Sequence, residues 1–473
     1  MRVATATTAP PRPPEAHAAG AAAVPAPPGP RRLLRHGPGL AVAGVVLLLC
    51  LPPGSGSGPT AADAGCAVLV LWCAVRLLRE RARPLSGRAA LVLAAPAAGV
   101  TLAAVTSHDP AASLPGLVRH LEVFVLVPAA VVLLLRDRRD ARLAAAAVVL
   151  LALVQGAVGV HQYATATGAS YQGQDIRAVG TFGALDVMGM STAVSYGVVV
   201  ALAAGLAPPA RAPRWLRPAA LGCAALLLIP LALSFSRGSW IATALACAGV
   251  LLLAGARLAL RTLAAVLCAA VVLVGGLGVG TQAIGERLGS ITRVGDAPDQ
   301  SVTDRYALWG AALGIWREAP LTGVGPKGFP DHRDTHAPLA LSSGGDTAGA
   351  GSAFQRQPLL SPHNMYLLVL SEQGLIGLLT LGGSWAALAV CTLRRLRAAR
   401  TGAPGTRASR APRDLGLAAA GLLCWQLVDF LYADIGGPST PLTGLVLGLA
   451  AWWALGPRQP TPALAHPRAE PAR

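Results

Sequence analysis

Arginine recurs at every second gap between the apolar segments of this 473-residue chain, and that alternation leaves few architectures open. Twelve apolar stretches can be marked, at 39–52, 61–78, 89–106, 116–135, 143–161, 183–206, 218–235, 239–256, 262–280, 364–391, 414–431 and 441–456. A bilayer core takes about 20 apolar residues of helix, so most of them qualify and the first is short. Of the 39 Lys and Arg residues, 29 lie in the two termini and in connections 76–88, 136–142, 207–217, 257–261 and 394–413. Arg119, Arg177 and Arg237 fall at other short gaps, and the remaining seven lie in the long connection 281–361. Because basic loops stay in the cytoplasm, this distribution places both termini there and puts 281–361 outside. The expected fold is an all-α integral membrane bundle of about twelve transmembrane helices, with one long extracytoplasmic loop containing short helices.

Composition agrees. Charged residues make up 13% and hydrophobic residues 53%, and the mean hydropathy is +0.54, far from a soluble domain. A net charge of +17 would suit nucleic acid, but these cations sit in short juxtamembrane loops, where they orient the chain and meet anionic headgroups. Membrane lipids are therefore the expected partner and nucleic acid is not. All eight cysteines lie in or at the end of apolar segments with no metal-ligand spacing, and they read as small packing residues.

Residues 1–38 are rich in Pro, Ala and Arg without hydrophobic periodicity and read as a disordered cytoplasmic tail. Membrane helices follow over 39–280 and 362–456, separated by the loop 281–361, and 457–473 form a second loose tail. The short run Leu40–Leu51 is similar to a signal-peptide core, yet no small-x-small cleavage site follows, so it reads as a helix. Thr401–Ala411 reads as a polar cytoplasmic linker. Within the long loop, Thr303 is a candidate N-cap, and Arg305, Trp309, Ala312 and Trp316 share one stripe on a 3.6-residue period. That stripe suits an interfacial helix with tryptophans at headgroup depth. Pro320–Pro326 supplies a glycine-rich turn, and 338–358 reads as a mobile Ser/Gly/Ala-rich stretch.

Ionisable groups gather at the outer ends of the segments: Arg119, His120 and Glu122, then Arg177 and Asp186, Arg237, His363, Asp429 and Asp434. Glu372 lies nine residues beyond His363, about 13 Å along a helix. The helix middles carry almost none, whereas a cation-coupled transporter would place carboxylates near the midplane. His332 and His336 have helical spacing for a metal, but the surrounding Pro and polar residues favour plain solvation; Lys327 follows a Gly-Pro turn and reads the same way.

The order of Ser236-Arg237-Gly238-Ser239-Trp240, Arg305 with Trp309, Pro320-Leu-Thr-Gly-Val-Gly-Pro326, His363-Asn364-Met-Tyr-Leu367 and Glu372-Gln-Gly-Leu-Ile-Gly377 resembles the O-antigen ligase/polymerase family. Val179-Gly180-Thr181-Phe182-Gly183 is also similar to that family's pattern, while Asp186 departs from the asparagine-bearing turn common there. The resemblance implies a GT-C-like membrane glycosyltransferase that moves or polymerises a glycan from a polyprenyl-pyrophosphate carrier to a hydroxyl acceptor outside the cytoplasmic membrane. It implies partners in a lipid-linked glycan, a glycan or lipid acceptor and a polysaccharide assembly complex, with no cofactor; the lack of a clear Asp-x-Asp in the outer loops favours a mechanism without metal.

On that reading Arg237 and Arg305 meet the pyrophosphate, since guanidinium forks make strong charge-assisted hydrogen bonds. His363 is the candidate base near neutral pH. Arg177, Glu372, Asn364 and Trp309 are the candidate substrate-binding residues. Each has a structural alternative: Arg237 capping helix carbonyls, Arg305 snorkelling to headgroups, and His363 opening a helix without chemistry. Two other classes stay open, a transporter of a small anion and a catalytically silent binder of lipid-linked glycans.

Overall fold

Each of the twelve apolar segments contains a helix, but the helices differ in reach. The computed structural model describes residues 37–54, 58–81, 85–171, 174–271, 300–338, 341, 345–348, 354–357, 359–401 and 412–456. Eight helices among them are long and apolar enough to cross a membrane. These are α2 (Ala61–Glu80), α3 (Gly87–Thr106), α4 (Pro110–Leu134), α5 (Arg138–Ala164), α6 (Gly189–Leu206), α7 (Leu216–Leu233), α8 (Arg237–Ala254) and α12 (Met365–Thr401). The shorter ones are α1 (Gly37–Leu48), α9 (Ala256–Val271), α13 (Arg413–Asp429) and α14 (Thr440–Leu455). At 1.5 Å per residue they reach roughly 18–26 Å, short of the roughly 30 Å hydrocarbon core. The expected tails at 1–38 and 457–473, the linker 401–411, the segment end at 272–280 and the polar stretch 281–299 lie wholly or largely outside the described residues.

Capping residues start the helices, in two cases five or six residues before the apolar segment begins. Thr60 and Asp63 form a reciprocal capping box on α2, Asp109 precedes Pro110 at the start of α4, and Asp137 accepts from Arg139 N and Asp140 N on α5. Within α4, Glu122–Leu126 is a π-helical turn just before Pro128, which has no N–H to continue the regular ladder.

Cross-links between helices fix an up-and-down arrangement. Arg142 makes a two-pronged pair with Asp414, Nε–Oδ2 2.6 Å and Nη2–Oδ1 3.1 Å. Trp452 Nε1 donates to Leu135 O at 2.8 Å, and Arg400 Nη1 donates to Leu253 O at 3.0 Å. These contacts gather one set of helix ends. At the opposite end, Met365 N donates to Phe430 O and Ala433 O, Ala178 N to Leu233 O, and Arg119 pairs with Asp63 and Glu122 at 2.5 and 2.9 Å. We refer to this second set as the site end. Between the ends the core is aliphatic and aromatic, with Trp425, Trp453, Tyr196 and Phe430 almost wholly buried.

The long connection folds onto the site end. It contains α10 (Gln300–Glu318) and α11 (Phe329–His336). α10 begins before Thr303, the expected cap, because Gln300–Val302 contains no Pro or Gly to stop it. Its buried line is Leu308, Ala311, Ala312 and Ile315, of which Leu308, Ala312 and Ile315 pack with Phe329, Val324, Leu367 and Leu368. The expected stripe through Trp309 and Trp316 is thus displaced by one residue, and both indoles donate to protein carbonyls, Pro362 O at 3.0 Å and Pro320 O at 3.1 Å. Protein packing, rather than a headgroup layer, takes the apolar face.

A small antiparallel sheet departs from the all-helical expectation. Its strands are β1 (Ala169–Tyr171), β2 (Gln174–Arg177), β3 (Gly345–Ala348) and β4 (Phe354–Gln357), in the order β2-β1-β3-β4. The expected mobile stretch 338–358 therefore contributes a hairpin, paired through Ser170↔Ala348 and Tyr171↔Thr347. Partners 176 and 178 residues apart supply the ladder, so neither short segment needs its own hydrophobic alternation.

The glycine-rich turn and the Glu-Gln-Gly motif form one joint. Gly374 breaks α12 at φ 64°, ψ −166°, a region open in practice only to glycine. The backbone groups freed there are taken up by 320–325: Val324 N donates to Ser371 O, Gly325 N to Glu372 O, Leu375 N to Pro320 O and Ile376 N to Leu321 O, all at 2.9–3.1 Å. A Cβ at Gly374 would stand 2.3 Å from Leu321 C, and one at Gly323 would stand 2.3 Å from Glu372 C. Gly374→Ala is therefore expected to cost about 1–3 kcal/mol in backbone strain alone, with steric overlap added. Thermal unfolding in detergent should show a clear fall in Tm, and an unchanged Tm would refute this account of the joint.

Candidate functional site

The site end is built around residues 430–439, between α13 and α14. Met365 N is held by the carbonyls of Phe430 (2.9 Å) and Ala433 (3.0 Å), and Asn364 Nδ2 donates to Leu431 O at 3.1 Å. Asn364 Oδ1 also accepts from Leu367 N at 3.1 Å, which makes Asn364 the cap of α12. From the other side, Trp309 fixes the Pro362 carbonyl. His363, between these anchors, sits at φ 49° in the left-handed region, where His is enriched among non-glycine residues. Sequence spacing alone gave no sign of that backbone.

The charges facing His363 come from two other elements. Arg305 of α10 and Asp434 of the 430–439 segment both act on it electrostatically. Burial pushes the imidazole below its ordinary value; Arg305 pushes the same way and Asp434 opposes. The ring is thereby kept neutral near pH 7, the form that accepts a proton. Asp429 lies in the field of Asp186, Asp434 and Arg305, so the acids and Arg305 form one connected group. Asp186 itself is pushed up by burial, although Ser439 N donates to its Oδ2 at 2.9 Å. Asp434 Oδ2 is buried with no hydrogen-bond partner among the described groups. The outer-end concentration of acids was readable in sequence, but not that Asp434 acts on His363 while Asp429 links it to Asp186.

Arg237 opens α8, whose first turn faces the 430–439 segment at Tyr432. Ser236 caps the helix by accepting from Ser239 N at 3.3 Å, and a Cβ at Gly238 would stand 3.3 Å from Tyr432 Cβ. Below the cap a line of buried hydroxyls descends: Ser236 to Ser239 (3.0 Å), Ser239 to Ser191 (3.0 Å), and Thr243 to Ser195 (2.8 Å). It ends where Trp425 Nε1 donates to Thr243 Oγ1 at 3.0 Å.

The remaining candidates are placed as follows. Glu372 is buried, its Oε1 accepting from Phe329 N at 3.3 Å at the start of α11. Arg177 donates to the carbonyls of Ser234 and Phe235. The structure thus brings His363, Arg305, Trp309 and Asn364 together with Arg237 alongside, while Glu372 lies at the α11 start and Arg177 reaches the turn before α8. Lys327 is exposed at φ 69°. His332 Nδ1 meets Gly328 O at 3.0 Å and His336 Nε2 meets Glu318 Oε1 at 3.0 Å. No group of three His, Cys, Asp or Glu side chains able to hold a metal occurs among the described residues.

Residues 222–382 match the family model described as O-antigen ligase. This part of the chain is similar to the O-antigen ligase family. The matched span runs from within α7 to the middle of α12 and includes Arg237, Arg305, Trp309, His363, Asn364 and Glu372. Arg177, Asp186, Asp429 and Asp434 lie outside it. No curated protein matches the chain. With its eight candidate spans the chain is a multi-pass membrane protein, and the matched stretch supports an O-antigen ligase/polymerase-type membrane function in surface-polysaccharide biosynthesis.

Proposed function

We propose that the protein is a membrane glycosyltransferase that transfers or polymerises a glycan from a polyprenyl-pyrophosphate donor onto a hydroxyl acceptor. The reaction takes place at the outer face of the cytoplasmic membrane, with both chain termini in the cytoplasm. The observation that supports this most is the convergence of His363 and Arg305 against the 430–439 segment, with Arg237 opening a helix onto the same segment at Tyr432.

The chemistry follows from the residue types. Breaking the glycosidic bond leaves negative charge on the pyrophosphate, and guanidinium groups from Arg237 and Arg305 neutralise it with fixed donors. Neutral His363 takes the acceptor proton as the hydroxyl attacks the anomeric carbon from the face opposite the pyrophosphate, so the anomeric configuration inverts. In this reading the reaction needs no metal. Trp309 offers a ring face to the glycan while its Nε1 holds the Pro362 carbonyl, and Asn364 sets the direction of His363.

The test is reconstitution of the wild type with the host's lipid-linked oligosaccharides. Transfer predicts a stoichiometric release of free polyprenyl pyrophosphate with longer or relocated glycan. No consumption of donor by a folded protein would remove the glycosyltransferase reading.

A further inference from the structure

The turn between α7 and α8 carries a strained residue, and an arginine from elsewhere holds it. Phe235 sits at φ 50°, a conformation that is strained for an L-residue and persists only where surrounding groups fix it. Two residues later comes Arg237, the first residue of α8. Arg177, at the end of β2, donates through Nε to Ser234 O (3.1 Å) and through Nη2 to Phe235 O (3.0 Å). The next residue, Ala178, donates its N–H to Leu233 O at 3.1 Å. Two consecutive residues thus take three consecutive carbonyls at the C-terminal end of α7, where open carbonyls and the helix dipole both favour a cation. A second anchor lies on the near side of the turn, where Trp240 Nε1 donates to Leu231 O at 2.7 Å.

We propose that Arg177 is a positioning residue: its guanidinium clamps the Ser234-Phe235 turn in the left-handed form that aims Arg237 at the donor's pyrophosphate. The proposal rests on the glycosyltransferase reading above. It gives Arg177, which lies outside the matched family span, a role through Arg237 rather than on the glycan itself. The planar fork suits two neighbouring carbonyls; a lysine ammonium on a flexible stem does not hold both in fixed geometry.

The experiment compares wild type, Arg177→Ala, Phe235→Gly and the double variant, reconstituted with lipid-linked oligosaccharide and followed by release of polyprenyl pyrophosphate. Tm in detergent is recorded for each. Glycine adopts the left-handed turn without penalty, so it restores the turn once the clamp has gone. Arg177→Ala is expected to lower kcat by about 10²-fold, the scale of a small misplacement of a reacting group. The donor KM should stay within about threefold, and the double variant should regain at least about tenfold in kcat. A merely structural arginine would change Tm and yield but leave kcat per folded molecule intact. That result overturns the proposal, as does a loss confined to donor KM, or a double variant no better than Arg177→Ala. Donor consumption by the wild type separates the two failures. An inert, folded wild type removes the glycosyltransferase reading itself, whereas an active wild type with an unrescued double variant removes only the clamp.

Discussion

Replacing His363 by asparagine is expected to reduce glycan transfer by about 10²–10⁴-fold, the usual contribution of a general base, while the protein stays folded. Asparagine suits this test better than alanine. His363 sits at φ 49°, and asparagine tolerates that backbone, so the Asn364 cap and the carbonyl clamps on Met365 survive the change. What is lost is the basic ring nitrogen. The pH profile gives a second handle. Only neutral imidazole accepts a proton, so activity should rise with pH through the pKa of His363. Burial and Arg305 hold that pKa below its ordinary value, so the acid limb of kcat/KM belongs below about pH 6.5. An active, folded His363→Asn variant would eliminate His363 as the base, and an acid limb above that pH would contradict the environment described for it.

The membrane architecture was legible because two coarse signals agreed, apolar length and arginine alternation. The apolar runs at 414–431 and 441–456 become helices close to their own length, Arg413–Asp429 and Thr440–Leu455, both shorter than the eight candidate spans. Residues 430–439 between them leave the helix to make the surface that holds His363, and no hydropathy window could reveal that use. The sheet was illegible for a different reason, since the short β1-β2 pair is completed by the 345–348 strand, far along the chain. Periodicity correctly identified a helix from Arg305 to Trp316 but chose the wrong line along it. Two tryptophans outweighed Leu308, Ala311 and Ile315, which are fully buried, whereas indoles with a donor to satisfy sit at the margin.

The site itself was legible as a set of residues but not as a division of labour. Asn364, Trp309, Glu372 and Arg177 carry polar groups of the kind that bind glycans, and each uses them on backbone within the protein. Asn364 and Trp309 hold the His363 segment, Glu372 holds the start of α11 and Arg177 holds the turn before Arg237. Preorganisation explains why chemistry and scaffold look alike in sequence: a reacting side chain kept in place without reorganisation needs polar partners of its own. The Gly374 break gives the same lesson at backbone level, since the motif there reads as a functional signature and works as a joint.

Arg305 and Arg237 can be told apart although both are assigned to the leaving group. Alanine at either position should cost about 10²–10³-fold in kcat, the scale of losing one fixed donor to a developing oxyanion. Lysine should restore only part, because a point charge replaces a two-pronged fork. If both arginines act on the same pyrophosphate, the double variant should lose much less than the product of the two single effects. The pH profile then separates them. The Arg305 cation is one of the two causes that hold His363 below its ordinary value, so removing it favours the imidazolium form. In Arg305→Ala the acid limb should therefore move to higher pH, towards the unperturbed imidazole value. His363 is shifted by burial, Asp434 and Arg305, so Arg237→Ala is expected to lower the plateau and to move the acid limb less than Arg305→Ala does. Reconstituted enzyme assayed from pH 5 to 8 by polyprenyl pyrophosphate release measures both effects together. An unmoved limb in Arg305→Ala would separate Arg305 electrically from His363, and strictly multiplicative losses in the double variant would mean that the two arginines do not share one leaving group.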